Sequence, residues 1–264
     1  MTVLQDIVDG VLEDLEARKT ARPQAAVEAA AMCRAPARDF AASLRGEGVS
    51  LIAEVKKSSP SRGVIRADVE PVDVARAYAR AGADALSVLT EGRRFGGSLR
   101  DLSDIVDALG PSGPPVLRKD FIVDPYQVYE ARALGADCVL LIVALLERAQ
   151  LHDLLQLSHA LGMACLVEVH SEEELDTAAE SGAVIVGINN RDLKTLKIDL
   201  ATFERLRPRV PAGRIVVGES GIRCGRDVER LSAFGLDAVL VGEALMTSPD
   251  VGSMVRELRC TACR

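Results

Sequence analysis

The chain has 264 residues, 48% of them hydrophobic and 27% charged, with a formal net charge of -7. That length and balance support a sizeable core in one large α/β domain or two small ones, and they exclude a disordered chain. No block of like charge marks a nucleic-acid surface and no apolar run reaches the ~18 residues of a bilayer span, so neither nucleic acid nor membrane is expected as a partner.

The N-terminal stretch MTVLQDIVDGVLEDLEARK is acidic and amphipathic, without the basic start and apolar run of a signal peptide, and a cytoplasmic protein is expected. Val3, Leu4, Ile7, Val8, Val11, Leu12 and Leu15 recur at helical spacing, with Thr2 and Gln5 placed for a capping box. A second helical piece is expected over 39–45. Residues 1–50 thus read as a helical extension packed on a larger body, 51–264.

From Leu51 onward the pattern repeats. The first strand lies in SLIAEVKKSSPSRG (50–63); apolar runs follow at 84–90, 115–120, 137–143, 163–170, 183–189, 214–220 and 237–243. Helical patterns such as PVDVARAYARAGA separate them, and the turns AGAD, LGAD, SGAV and FGLD lead into strands. Alternating strand and helix implies a parallel sheet with right-handed crossovers. Runs apolar at nearly every position imply strands covered on both faces. Eight such units fit a (β/α)8 TIM barrel with an N-terminal helical extension. An open doubly wound sheet is the alternative, but no G-x-G-x-x-G follows any strand.

Side chains alternate between barrel interior and exterior. Ile52, Glu54 and Lys56 share one face of the first strand. Leu117 and Lys119 share one on the third, Leu166 and Glu168 on the fifth, Ile185 and Asn189 on the sixth, Val217 and Glu219 on the seventh. Each series runs from apolar to polar. Glu54, Lys56, Lys119, Glu168, Asn189 and Glu219 are therefore expected around the C-terminal mouth, where barrels carry their catalytic groups. A ring of stabilising ion pairs would explain any one of them. All six together would lose much hydration, and an apolar core of the same shape is often as stable. Groups held this way acquire shifted pKa values suited to acid–base work.

ESGIR (219–223) and VGEALM (241–246) follow the seventh and eighth strands, the usual barrel phosphate site. Gly221 and Gly242, with Ser220, offer backbone N–H groups, and Ser59 and Ser61 offer hydroxyls. The expected ligand is a phosphorylated small molecule. Cys33, Cys138, Cys165 and Cys224 read as buried free thiols. The C-x-x-C of Cys260 and Cys263 has no second pair and no histidine at ligand spacing, so no metal site is expected.

IAEVKKSSPSRG, TEGRRFGGS, PVLRKDFIVDPYQ, LLIVALL, LVEVH, GINNRDLKTL, ESGIR and LVGEALM resemble, in order, the motifs of the indole-3-glycerol-phosphate synthase family. The resemblance covers all eight strands and the N-terminal extension. It implies a carbon–carbon lyase of tryptophan biosynthesis that closes the pyrrole ring of 1-(2-carboxyphenylamino)-1-deoxyribulose 5-phosphate, losing carbon dioxide and water, with no metal and no organic cofactor. It gives Lys119 the role of acid at the ketone and pairs Lys56 with the substrate carboxylate. Glu168 becomes a base with Glu54 as its alternative or partner, Asn189 holds the hydroxyl region and Glu219 orients the ammonium groups. Arg191 becomes a carboxylate contact, and Phe95 and Phe121 walls for the anthranilate ring. Glu243 departs from the Gly-Ser found in many relatives and puts a carboxylate at the substrate's phosphate end, where backbone N–H groups are expected still to bind with Glu243 turned out to solvent. No fusion partner is expected, and a monomer or weak homo-oligomer is. Two other readings stand beside this one: a Schiff-base aldolase using Lys119, and a sensor that only binds a sugar phosphate.

Overall fold

The computed structural model describes residues 3–259 apart from 61, 67 and 194. Eight parallel strands close into a barrel: β1 Ser50–Val55, β2 Ala85–Leu89, β3 Val116–Lys119, β4 Cys138–Ile142, β5 Ala164–Val169, β6 Ile185–Asn189, β7 Ile215–Glu219 and β8 Ala238–Val241. Each pairs with its neighbours in sequence, and β1 closes the ring on β8 through Ser50↔Ala238 and Ile52↔Leu240. Every apolar run expected as a strand is one of these eight.

The turns into the strands stop the helices. Gly82, Gly135, Gly182 and Gly235 take positive φ of 95°, 91°, 83° and 88°, a conformation that a Cβ disfavours. The aspartate two residues on then ties strands together. Asp84 accepts from the N–H of Leu51 (2.8 Å), Asp137 from Val116 (2.8 Å) and Asp237 from Val216 (2.9 Å). Each carboxylate satisfies the first free amide of the preceding strand. The turn before β6 has Val184 instead and lacks this device.

The pleat sorts side chains as expected. Leu51, Ala53, Val55, Val139, Leu141 and Val167 join the core between strands and helices, while Ile52, Leu117, Leu140, Leu166, Ile185, Val217 and Leu240 fill the interior. Phe40 and Leu44 belong to the interior cluster with Ala85, Cys138, Ile215 and Ala238 at the strand starts, and so plug the end opposite the polar mouth.

Three helices precede the barrel: α1 Val3–Ala21, α2 Gln24–Cys33 and α3 Phe40–Ser43. The third is the piece expected over 39–45; Asp39 caps it by accepting from Ala42 N–H at 2.8 Å. The second has no sequence expectation. It buries only Val27 and Ala31, too few for a clear period, and its alanine-rich sequence forms a helix on propensity. The capping box expected from Thr2 lies outside the described residues. Leu15 and Val27 pack on Tyr126 of the barrel helix Pro125–Ala133, whose hydroxyl donates to the carbonyls of Arg22 (3.0 Å) and Arg18 (3.3 Å).

Cys138 and Cys165 are buried thiols, and burial pushes Cys165 up to about 12. Cys33 is exposed, contrary to expectation, because it ends α2 on the solvent side; Cys224 is half-buried. Cys260 and Cys263 lie outside the described residues. Among those residues no helix is long and apolar enough to cross a membrane.

Candidate active site

The same alternation delivers polar side chains from the ends of five strands to one cavity. Glu54, Lys56, Lys119, Glu168, Asn189 and Glu219 all line it. Lys119 stands at the end of β3 with Nζ 3.0 Å from Glu168 Oε2 and 3.5 Å from Glu219 Oε2. Burial works against its charge, but Glu168, Glu219 and Glu54 outweigh that and hold the ammonium above the ordinary lysine range.

The two carboxylates part ways. Burial would raise Glu168, yet Lys119 and His170 overcome it and keep the group ionised below the usual range. Burial also raises Glu219, and the neighbouring Glu168 adds to it; Lys119 offsets only part. Glu219 therefore favours its protonated form, as one member of a crowded acid pair does. Its Oε1 is buried without a hydrogen-bond partner among the described residues. Two glycines make room for these acids. A Cβ on Gly187 would fall 2.1 Å from Glu219 Oε1, and one on Gly242 would fall 2.3 Å from Glu54 Oε1. Glu54 in turn pairs with Lys56 at 2.6 Å.

A second cluster lies beyond β7 and β8. Ser220 and Gly221 are successive left-handed residues, with φ of 62° and 81°; for Ser220 that state costs about 1 kcal/mol. Asn190 holds the strained turn, its Nδ2 donating to the carbonyls of Glu219 (3.0 Å) and Ser220 (3.1 Å). Gly242 caps the short helix Glu243–Thr247 that leaves β8. Ser59 sits in a small hairpin, Ser58–Ser59 with Gly63–Val64, beyond β1. Ser59, Ser220, Gly221 and Gly242 line the same cavity; Ser61 lies outside the described residues.

Glu243 corrects an expectation. It does not turn out to solvent but lines the cavity, half-buried, and pairs with Arg62 of the hairpin at 2.6 Å. The cation beside it, on a loop that folds back over β8, gives the carboxylate a reason to stay inside. Arg191 also lines the cavity; its backbone N–H donates to Asn189 Oδ1 at 3.0 Å and its Nη1 to the Leu196 carbonyl at 3.3 Å.

Phe95 and Phe121 meet across the cavity wall, centroids 6.0 Å apart and tilted by 40°. Phe95 is placed by Glu91, whose carboxylate accepts from the N–H groups of Arg93 (2.9 Å), Arg94 (2.7 Å) and Phe95 (2.9 Å). The side chains of Arg93 and Arg94 then reach Asp14 and Asp6 of α1, and Leu4 and Ile7 of α1 complete the wall. Sequence reasoning missed Glu91, Asn190, His170, Leu4 and Ile7 as parts of the site. His170 was the most accessible of these: it follows Glu168 by two, and so shares its side of the strand.

A (β/α)8 barrel with a buried lysine–carboxylate cluster at its C-terminal mouth, two phenyl walls and a glycine-turn cluster beside them is the architecture of a barrel enzyme. The family model for indole-3-glycerol phosphate synthase matches residues 4–258, and the chain belongs to that family. An indole-3-glycerol phosphate synthase from Dehalococcoides mccartyi (strain CBDB1) is 55% identical, over 97% of this chain and 99% of its own. One from Mycobacteroides abscessus is 50% identical, over 97% and 93%. The solved 3-hexulose-6-phosphate synthase of Salmonella typhimurium has a TM-score of 0.65 at 15% identity, over 80% of this chain and 97% of that one, a likeness of fold alone.

Proposed function

We propose that the chain converts 1-(2-carboxyphenylamino)-1-deoxyribulose 5-phosphate to indole-3-glycerol phosphate, carbon dioxide and water, as a carboxy-lyase of tryptophan biosynthesis. The observation that carries this reading is Lys119, held as an ammonium by the ionised Glu168 with Glu219 beside them in the cavity.

Ring closure needs the aryl carbon bearing the carboxylate to attack the sugar ketone, with a proton supplied to the ketone oxygen. Lys119 supplies it. Its carboxylate neighbours keep it charged until an alkoxide develops, when its attraction is greatest. The same charge disfavours a Schiff base, which needs a neutral amine. Lys56, paired with Glu54, meets the substrate carboxylate with Arg191 and later assists departure of the hydroxyl. Loss of carbon dioxide from the attacked carbon restores the benzene ring; Glu168, ionised, then takes the proton that leaves with the hydroxyl as the pyrrole double bond forms, with Glu54 as its alternative or partner. Asn189 holds the hydroxyl region and Glu219 orients Lys119.

The flexible substrate must fold into a near-attack pose. Gripping both ends does that. Backbone N–H groups of Ser220, Gly221 and Gly242, with the Ser59 hydroxyl, take the phosphate; Glu243 borders that end. Phe95 and Phe121 wall the aromatic ring. The reading takes a small sugar phosphate as partner, in the cytoplasm, with a monomer or weak homo-oligomer as the working unit and no cofactor.

The test is turnover by purified protein with chelator present, followed by indole fluorescence. Product that disappears in Lys119→Ala supports the reading. Tight substrate binding without product would favour a sensor, and borohydride trapping of a substrate adduct on Lys119 would favour an aldolase.

A further inference from the structure

Glu168 is gripped from two sides. Its Oε2 accepts from Lys119 Nζ at 3.0 Å. Its Oε1 lies 3.2 Å from Nε2 of His170, a side chain only 10% exposed that stands behind Glu168 rather than on the cavity wall. The other ring nitrogen, Nδ1, lies 3.1 Å from Glu174 Oε2. That same oxygen accepts from the backbone N–H of His170 at 2.7 Å. Glu174 is itself fixed in the first turn of the helix Glu172–Glu180, where Ser171 caps its N–H at 3.2 Å.

Both ring nitrogens therefore face carboxylate oxygens. A neutral imidazole has one N–H and one lone pair, and the lone pair would point at a carboxylate close to 3 Å away. Only the imidazolium suits both sides. The Nε2 contact lies off the hydrogen-bond axis, so charge rather than a directed bond holds it. Burial opposes the positive form, but Glu168 and Glu174 outweigh burial and carry His170 up to about 10. The charged groups around it are Glu168 on its own strand and Glu174 on the following helix, with Lys119 and Glu219 beyond Glu168. The 3-10 turn Val143–Leu145, in contact with both β5 and that helix, contributes only apolar side chains.

We propose that His170 is a positioning residue for Glu168: an imidazolium clamped between Glu168 and Glu174, it directs one oxygen of Glu168 toward Lys119. The site is thus a chain of alternating charge, Glu174–His170–Glu168–Lys119, running from the helix layer into the cavity. The consequence for catalysis rests on the role proposed above for Glu168; the protonation of His170 does not.

Two measurements separate these. In protein labelled with 15N-histidine, both ring nitrogens of His170 stay protonated at pH 8; signals are assigned by substituting the exposed His152 and His159. A neutral tautomer at pH 8 overturns the proposal, whatever Glu168 does, and this needs no variant of the site. In His170→Gln, Glu168 loses a positive neighbour, so its affinity for a proton rises. The acidic limb of the kcat profile then moves up by about one pH unit, kcat falls roughly tenfold, and KM changes little. Glu174→Gln moves the limb the same way by less. A folded His170→Gln with an unmoved limb, or one shifted to lower pH, overturns the proposal. Glu168→Gln is the control: full activity there would sink the base assignment for Glu168 and leave the nitrogen-15 result to judge His170.

Discussion

Arg118 and Lys119 are consecutive cations, the first buried and the second partly so, that β3 sends to opposite sides. Arg118 faces the helix layer, where its partners surround it. Nη2 meets Asp120 at 2.9 Å, Nη1 meets Glu130 at 3.0 Å and donates to the Gln127 carbonyl at 2.9 Å, and Nε donates to Thr90 Oγ1 at 3.2 Å. Arg18 of α1 joins through Glu130 at 3.0 Å. Lys119 faces the interior with two carboxylates and the cavity. Both are held charged against burial. The planar guanidinium uses its donors in fixed geometry and belongs to the framework. The ammonium keeps a side open toward the space where a substrate would lie. A charge enclosed by its partners supports a fold; one open to a cavity is available for chemistry.

Substitution separates the two uses. The largest effect belongs to Lys119→Met, for which kcat falls by about 10³-fold. The melting temperature falls less than for its neighbour, because the orphaned acids can take up protons and cavity water. Activity within tenfold of the parent would remove Lys119 as the acid.

Arg118→Met reverses the pattern. Leaving Asp120 and Glu130 without their cation costs roughly 3–5 kcal/mol of stability, as for one partner of a buried ion pair, seen in urea unfolding. The folded fraction keeps most of its kcat. A small stability loss would mean that Arg118 is no more structural than Lys119.

Gly187→Ala sharpens the contrast without touching a charge. The new Cβ meets Glu219 Oε1, the end of a side chain, so the side chain moves rather than the backbone. We expect kcat to fall roughly tenfold with little change in melting temperature; loss of both would place the strain in the backbone.

Glu219→Gln tests the divided acid pair through pH. The folded protein holds the Glu219 proton more tightly than the unfolded chain does. Glu219 therefore costs stability progressively as pH rises above its unfolded value of about 4.3. The melting temperature of the variant, relative to the parent, should climb with pH from there. A flat difference between pH 4 and 9 would make Glu219 an ordinary carboxylate.

The smallest effect is expected at Arg62. It is exposed, and its pair with Glu243 is worth under about 1 kcal/mol. Arg62→Ala should leave stability and kcat near the parent and shift only KM, by a few-fold, measured by varying substrate at fixed enzyme. A large change in kcat would bring the hairpin into the catalytic step.

Much of this site was legible because a strand has a period of two. Once Ile52, Leu117, Leu166 and Val217 are inward, Glu54, Lys119, Glu168 and Glu219 have no other side to take. Glycine turns punctuated the units in the same local way, since a positive φ is a property of one residue. Helix α2 escaped because its buried face is two small residues. Glu243 was misjudged because its partner, Arg62, comes from the far end of the chain.

The sequence by itself determined the eight strands, their inward faces and the polar residues of the mouth, all consequences of backbone periodicity and local conformation. Only the tertiary structure decided which acid keeps its proton, which arginine supports the framework, and that α1 reaches the cavity. Those are matters of distance between groups remote in sequence, and burial and Coulomb interaction depend on distance in space.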